Sequence, residues 1–448
     1  MAYSNNVQQP NVLLLVAEGL SADDAYNPAL RIPSLQRLYS QSTRFENAFL
    51  RAGSTTPSAS SLLTGLWPMS HGGHRDNTCV KDSVTSPPYW YLPLGYRTFY
   101  IGERNIGPQS AFPFEWLKGD SDIQRDISLS EVLTLKQPFL AVVPMRYLSQ
   151  PERMLADYGI VAKASLPNDI IFKPHYPKVK PIEAARTGYL NRLKKLDIEV
   201  GNILQRLEEV GKAQNTIVIF TSISTGFFPR ETHNLYESGL KVPLVVRWPG
   251  RVLSNQKSQG LVSLVDVMPT LSELTGVPMT RVDGRSFVPL LRGARNHRDI
   301  IYATHTALGS RGAQHPYPMR SVRSEHYHYI RNLNSVARYT STLIEQVDKL
   351  WEAVSSEAAG SEYRMKYLYR PPEEFYDLRD DPNETTNLIE KPELQREIQA
   401  HRREMNIWLH RMGDRGMYSP VTPALDTKPN AVLNWLHNKL GIPLFFQR

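Results

Sequence analysis

Through the first three hundred residues, short continuous apolar runs alternate with longer stretches in which apolar positions recur every three or four residues. The runs Val12–Ala17, Thr98–Gly102, Pro138–Val143, Thr216–Thr221 and Pro243–Arg247 are rich in Val, Ile, Leu and Phe. Unbroken runs of this length mark strands buried on both faces of a largely parallel sheet. The segment Ile182–Val210 carries Leu193, Leu196, Val200, Ile203, Leu204 and Leu207 at helical spacing. It closes on Gly211, a residue suited to a helix C-cap, and leads into the strand at Thr216, giving half of a βαβ unit. Gln150 to Pro181, rich in Pro, Lys and aromatics, reads as a long surface excursion from the sheet.

Beyond about Ser310 the texture changes. Ser321–Asn332 alternates aromatic and basic residues as antiparallel strands do, Pro371-Pro372 leads into Phe375-Tyr-Asp-Leu378, and a charged helix runs from Pro392 to about Met412. The tail after Asp414 is irregular. The pattern therefore predicts an α/β protein in two parts. Residues 1–310 form a central, mostly parallel sheet flanked by helices, and residues 311–448 form a smaller α+β domain with an irregular tail.

Composition changes this picture little. The 448 residues are 41% hydrophobic and 21% charged, ordinary for a soluble globular chain. No apolar run is long enough to span a bilayer. The net charge of +8 favours acidic partners, but Lys and Arg are dispersed, as on a solvated basic surface. The single cysteine, Cys79, excludes an internal disulfide. Together with a polar, non-basic start, it leads us to expect a cytoplasmic or otherwise intracellular setting rather than secretion. The sequon Asn383-Glu-Thr385 points the other way, though a tripeptide of this kind arises often by chance. There is no Gly-rich phosphate loop, zinc spacing or nucleic-acid motif.

Several collinear words carry a family likeness. They are Asn11-Val-Leu-Leu-Leu-Val-Ala17, Ile32-Pro-Ser-Leu-Gln-Arg-Leu38 with Arg44-Phe-Glu-Asn-Ala-Phe49, Pro57-Ser58 with Leu62-Leu63-Thr64-Gly65, and Gly95-Tyr-Arg-Thr98 with Ile101-Gly102. Thr216-Ile-Val-Ile-Phe-Thr-Ser222, Val242-Pro-Leu-Val-Val-Arg-Trp-Pro-Gly250, Asp266-Val-Met-Pro-Thr-Leu271 and Asp283-Gly-Arg-Ser286 continue the order. In this arrangement the chain resembles the sulfatase family of the alkaline-phosphatase superfamily. Ala25-Tyr-Asn27, Asn234-Leu-Tyr236, Tyr317-Pro-Met-Arg-Ser-Val322 and Asn332-Leu-Asn334 are similar to its heparan N-sulfatase branch.

The resemblance implies a formylglycine nucleophile made from Cys in Cys-x-Pro-x-Arg, a divalent cation held by carboxylates and an amide, and basic residues around the sulfate. Carried onto this chain, the Cys position is Thr55 and the Arg position Ala59. The cation ligands fall on Glu18, Gly19, Ile223 and Ser224. The basic positions fall on Glu103, Asn105, Ser149 and Thr232. Glu18 alone keeps a carboxylate, whereas a hard cation takes several oxygen ligands. Asp23 and Asp24 follow closely and are expected in a surface loop. His233 beside Thr232 is expected to be solvated, His71-Gly-Gly-His74 to be solvated or capping, and His326 and His328 to share a partly exposed strand face.

The expectation is thus a pseudoenzyme with no intact catalytic residue and no bound cofactor, calcium entering only if the family site survives in altered form. Its role would be binding, scaffolding or regulation toward an unidentified protein partner, and the resemblance implies a homodimer. Two alternatives stay open. One is a sulfuric-ester or phosphoryl hydrolase with altered chemistry at Thr55, since relatives in the wider superfamily use Thr or Ser as a metal-activated nucleophile. The other is a binder of sulfated or other anionic glycans.

Overall fold

The computed structural model describes residues 9–119, 121–149, 172–306, 317–339, 355, 358–414 and 416. Most of the expected excursion Gln150–Pro181 lies outside the described residues, as does the tail beyond residue 416. Lys180 and Pro181 already belong to the helix that follows.

The strand at the heart of the molecule, β1 (Asn11–Ala17), is buried along its whole length. In chain order come β2 (Thr43–Phe45), β3 (Ala48–Phe49), β4 (Arg97–Ile101), β5 (Glu115–Leu117), β6 (Phe139–Met145), β7 (Thr216–Ser222), β8 (Leu244–Arg247), β9 (Gln256–Ser258) and β10 (Val262–Ser263). An eight-stranded sheet has the order β5-β4-β6-β1-β7-β8-β2-β9, and β3 pairs with β10 beside it. Neighbours run parallel except at β7–β8 and β8–β2. In register, Leu13 of β1 lies between Ala141 of β6 and Val218 of β7. Strands walled in on both sides have no polar face, which is why their sequences do not alternate.

Helices cover the sheet. The longest, Lys180–Glu209, sets Leu193, Leu196, Val200, Ile203 and Leu207 into the core. Gly211 after it has φ 70°, a left-handed conformation that costs other residues about 1–2 kcal/mol. Helix Thr55–Thr64 ends in the same way on Gly65.

The second sheet is antiparallel, in the order β11 (Ile301–His305), β12 (Met319–Arg323), β13 (Tyr327–Asn332), β14 (Glu373–Asp377). Strand β11 precedes residue 310 and yet pairs along its length with β12. Helix Gln395–Met412 packs Ile398, Met405 and Trp408 against Val322, Tyr329 and Phe375. Trp67 of the large part joins this cluster, and Trp408 stacks on Tyr302 with centroids 4.8 Å apart. His328 is fully buried, its Nδ1 2.5 Å from Glu384 Oε1, while His326 is exposed in the turn before β13. The partly exposed face expected for this pair is thereby corrected, because β13 is an inner strand with β12 and β14 on either side.

Candidate functional site

Parallel strands present their C-terminal ends at one edge of a sheet, where the loops between them form a crevice. Here Glu18 follows β1, Arg146 follows β6 and Ile223 follows β7, with Glu103 shortly after β4. Glu18 is buried, its side chain only 3% exposed. Its Oε1 accepts from Asn105 Nδ2 at 2.9 Å and its Oε2 from Arg146 Nε at 3.1 Å. Arg146 also pairs with Glu103, and Tyr100 donates to Asn105 Oδ1 at 2.5 Å. The Ser149 hydroxyl stands beside Glu18 and makes no hydrogen bond of good geometry. Burial pushes the Glu18 carboxyl above the usual range, and the Arg146 charge only partly opposes this. Glu18, Glu103, Asn105 and Ser149 therefore do come together, around an arginine that the sequence did not single out. Its signal was position alone: it is the first residue past a buried parallel strand.

The next position is closed to a side chain. Gly19 has φ 91°, and a Cβ there would lie 2.5 Å from the Leu148 carbonyl oxygen. The Gly19 amide donates to Ser224 Oγ at 2.9 Å, and its carbonyl accepts from Tyr189 OH at 2.9 Å. Ser222 Oγ bridges to the Ser224 carbonyl at 2.7 Å. Ile223 is packed in the apolar core. Among the described residues no three His, Cys, Asp or Glu side chains gather into a group that could hold a metal ion. A divalent cation held by oxygen ligands does not fit the donors present.

Thr55 opens helix Thr55–Thr64 and is half-buried; Ala59, one turn on, is in the core. Around them lies a buried set of hydrogen bonds. Thr56 N donates to Asp76 Oδ1 at 2.9 Å, and Asp76 Oδ2 meets His233 Nε2 at 2.9 Å. The His233 amide donates to the Gly53 carbonyl at 2.6 Å. Ser54 Oγ lies 3.4 Å from His305 Nδ1, and the His305 and His233 rings are 5.8 Å apart. Burial, reinforced by the neighbouring His233, drives the His305 pKa well below the usual imidazole value. Thr232 donates to the Thr225 carbonyl at 2.6 Å.

Three expectations are corrected here. His233 is not solvated: at 4% exposure it ties the Thr55 helix to its own loop through Asp76. His71 and His74 are buried as well. His71 Nδ1 accepts from the Gly73 amide at 3.0 Å, so Nε2 carries the proton toward Ser61 Oγ at 3.0 Å. Burial pushes His71 down to about 3 and His74 to about 4. Asp24 is not on a surface loop but in the short helix Ala22–Ala25, buried, with Arg186 Nη2 2.7 Å away and Lys173 Nζ 3.1 Å away. Lys173 also reaches Glu231 Oε1 at 2.7 Å. Asp23 beside it is exposed.

The family profile of the sulfatases matches residues 10–138 and 146–277. The chain belongs to the sulfatase family. The profile of the N-sulphoglucosamine sulphohydrolase C-terminal region matches residues 225–348 of this sulfatase-family chain. It is 27% identical to human N-sulphoglucosamine sulphohydrolase, over 96% of this chain and 95% of that protein. It is 25% identical to an ulvan-active sulfatase of Formosa agariphila, over 91% of this chain and 76% of that one. Among solved structures, a Bacteroides thetaiotaomicron protein of glycosaminoglycan metabolism superposes with a TM-score of 0.71 at 18% identity, covering 91% of this chain and 97% of that one. The phosphonate monoester hydrolase of Agrobacterium radiobacter does so at 0.67 and 18% identity, covering 93% and 100%. These likenesses fix an alkaline-phosphatase-like sulfatase fold. No helix of the described residues is long and apolar enough to cross a membrane.

Proposed function

We propose that this member of the sulfatase family is a non-catalytic one, acting through binding, scaffolding or regulation rather than turnover. The observation that carries the reading is the state of Glu18. The one carboxylate left among the family's cation-ligand positions is engaged by Arg146 and Asn105, so its charge is met by a side chain. Sulfuryl and phosphoryl transfer depend on charge stabilisation at the transferring group, supplied largely by a metal and cationic side chains. Thr55 without a cation is a weakly activated hydroxyl, and Glu103 sets a carboxylate where the family sets a base.

The test is metal analysis and turnover on one preparation of the full chain. We expect no stoichiometric divalent ion, and no hydrolysis of an aryl sulfate, an aryl phosphate or an N-sulfated glucosamine, with or without added calcium. Metal-dependent turnover of any of these would overturn the reading. Hydrolysis of the phosphate alone would point to altered chemistry at Thr55.

A further inference from the structure

Two loops meet at the opposite end of the parallel strands. Arg247, the last residue of β8, pairs with Val218 near the start of β7. The turn after β8 therefore lies at the N-terminal ends of the parallel strands, away from the crevice around Glu18, and leads into β9, the outermost strand. The segment after the short helix Val288–Leu291 comes up against it: a Cβ on Gly293, at φ 97°, would stand 3.9 Å from Leu253 Cδ1. Basic residues are dispersed along the chain as a whole, but both loops belong to stretches without acids. Residues 249–265 hold Arg251 and Lys257, and residues 284–298 hold Arg285, Arg292, Arg295 and Arg298, with no Asp or Glu in either.

Arg298 is taken up inside the fold by the buried carboxylate of Asp266. Arg251, Lys257, Arg292 and Arg295 are exposed. Arg292 has only Glu273, 4.0 Å away and itself well exposed, and the other three make no ion pair among the described residues. Asp299, Glu325 and Glu397 line a cleft together with Lys257 and Arg295, and bound the basic face on that side. A second observation is independent of this charge. Leu253 is 46% exposed where the two loops meet, and Trp248 beside it is half-buried, with the Arg251 guanidinium 5.9 Å from its ring centroid. Aromatic residues and Arg are enriched at protein interfaces and Lys is depleted. Guanidinium groups match carboxylates two bonds at a time, which an ammonium does not.

We propose that this face docks an acidic protein segment that carries an apolar side chain among its carboxylates. The carboxylates take Arg251, Arg292 and Arg295, and the apolar side chain covers Leu253 beside Trp248. A second copy of the chain does not fit, because a basic face turned on itself repels. An anionic membrane takes Lys and Arg alike and gives no use to guanidinium over ammonium. The face lies at the opposite end of the strands from the crevice, so docking there does not depend on the absence of turnover.

The test is fluorescence anisotropy of a labelled synthetic peptide, aspartate and glutamate around a central leucine, titrated with the full chain at near-physiological salt. The reference is the same peptide with asparagine and glutamine in place of the acids. We expect the acidic peptide to bind and the amide peptide not to. Arg251→Glu with Arg292→Glu should weaken binding by about tenfold or more, and Leu253→Ser by about threefold to tenfold. All three positions are exposed, so these variants keep the fold. Lys194→Glu with Lys195→Glu makes the same change of net charge on the exposed side of helix Lys180–Glu209, and should leave binding within about twofold. A heparin fragment and phosphatidylserine vesicles serve as competing anions, and each should bind the Arg251–Arg292 face more weakly than the peptide. No binding beyond that of the amide peptide, an equal loss in the Lys194 and Lys195 variant, or tighter binding of heparin or vesicles at this face would overturn the proposal.

Discussion

Arg146 Nε lies 3.1 Å from Glu18 Oε2, and the same guanidinium pairs with Glu103. Two acids, one at a position where the family holds a cation and one where it holds a base, thus share one arginine. Glu18 is raised from 4.5 by burial, against the pull of Arg146. A carboxyl of this kind binds more protons folded than unfolded, so stability falls as pH rises above about 4.5.

Glu18→Gln removes that penalty, but its single amide oxygen serves only one of the two donors, Asn105 and Arg146. We expect the two effects to offset, leaving the variant within about 1 kcal/mol of the parent at pH 7.5 and less stable relative to it toward pH 4.5. Urea denaturation at several pH values measures this. A loss of several kcal/mol at neutral pH would show that the charged pair itself carries net stability.

Restoring an acid at position 19 should fail. The backbone there has φ 91°, and a Cβ would meet the Leu148 carbonyl at 2.5 Å. We expect Gly19→Asp to destabilise by roughly 2 kcal/mol or more from the left-handed backbone and overpacking together. Its melting temperature should be the same with and without calcium. A calcium-dependent rise would mean that the loop reopens into a cation site.

Repairing the nucleophile alone should also fail. In a host with the formylglycine-generating enzyme, Thr55→Cys with Ala59→Arg is expected to give no sulfatase activity. Each lost charge-stabilising contact costs about 3 kcal/mol, roughly a hundredfold in rate, and Glu103, Asn105, Ile223, Ser224 and Thr232 remove several. Ala59 is itself buried in the core, so an arginine there must displace packing. Turnover of an aryl sulfate by the double variant would sink this expectation.

Asp24 should be a stability determinant. Burial pushes its carboxyl up, but Arg186 and Lys173 outweigh this and hold it below its ordinary 3.8. Asp266 is held down likewise: the Arg298 and His297 hydrogen bonds overcome its burial. The stability these carboxylates contribute is present above pH 3.8 and is lost as pH falls below it. Asp24→Asn removes the buried carboxylate charge that Arg186 and Lys173 share. We expect a loss of about 3–5 kcal/mol at pH 7 and a shallower acid-unfolding limb. An unchanged denaturation midpoint would contradict the assignment.

The sequence by itself determined the strands β1, β6 and β7, the Lys180–Glu209 helix with its Gly211 cap, and the antiparallel pair β12–β13. Those signals are local: the period of apolar positions and the residue at a helix end act over a few positions. The collinear family words likewise carried the fold. What the tertiary structure alone decided is where charge is buried and what meets it. Asp24 looks like a loop residue until the chain returns with Arg186, 162 residues later. Arg146 is one arginine among many until β6 is laid beside β1, which puts it against Glu18. Gly19 is closed to a side chain only because the Leu148 carbonyl stands over it. Hydrophobic periodicity records which face of an element is buried. The partner of a buried charge is set by the meeting of segments remote in sequence, and no local pattern encodes it.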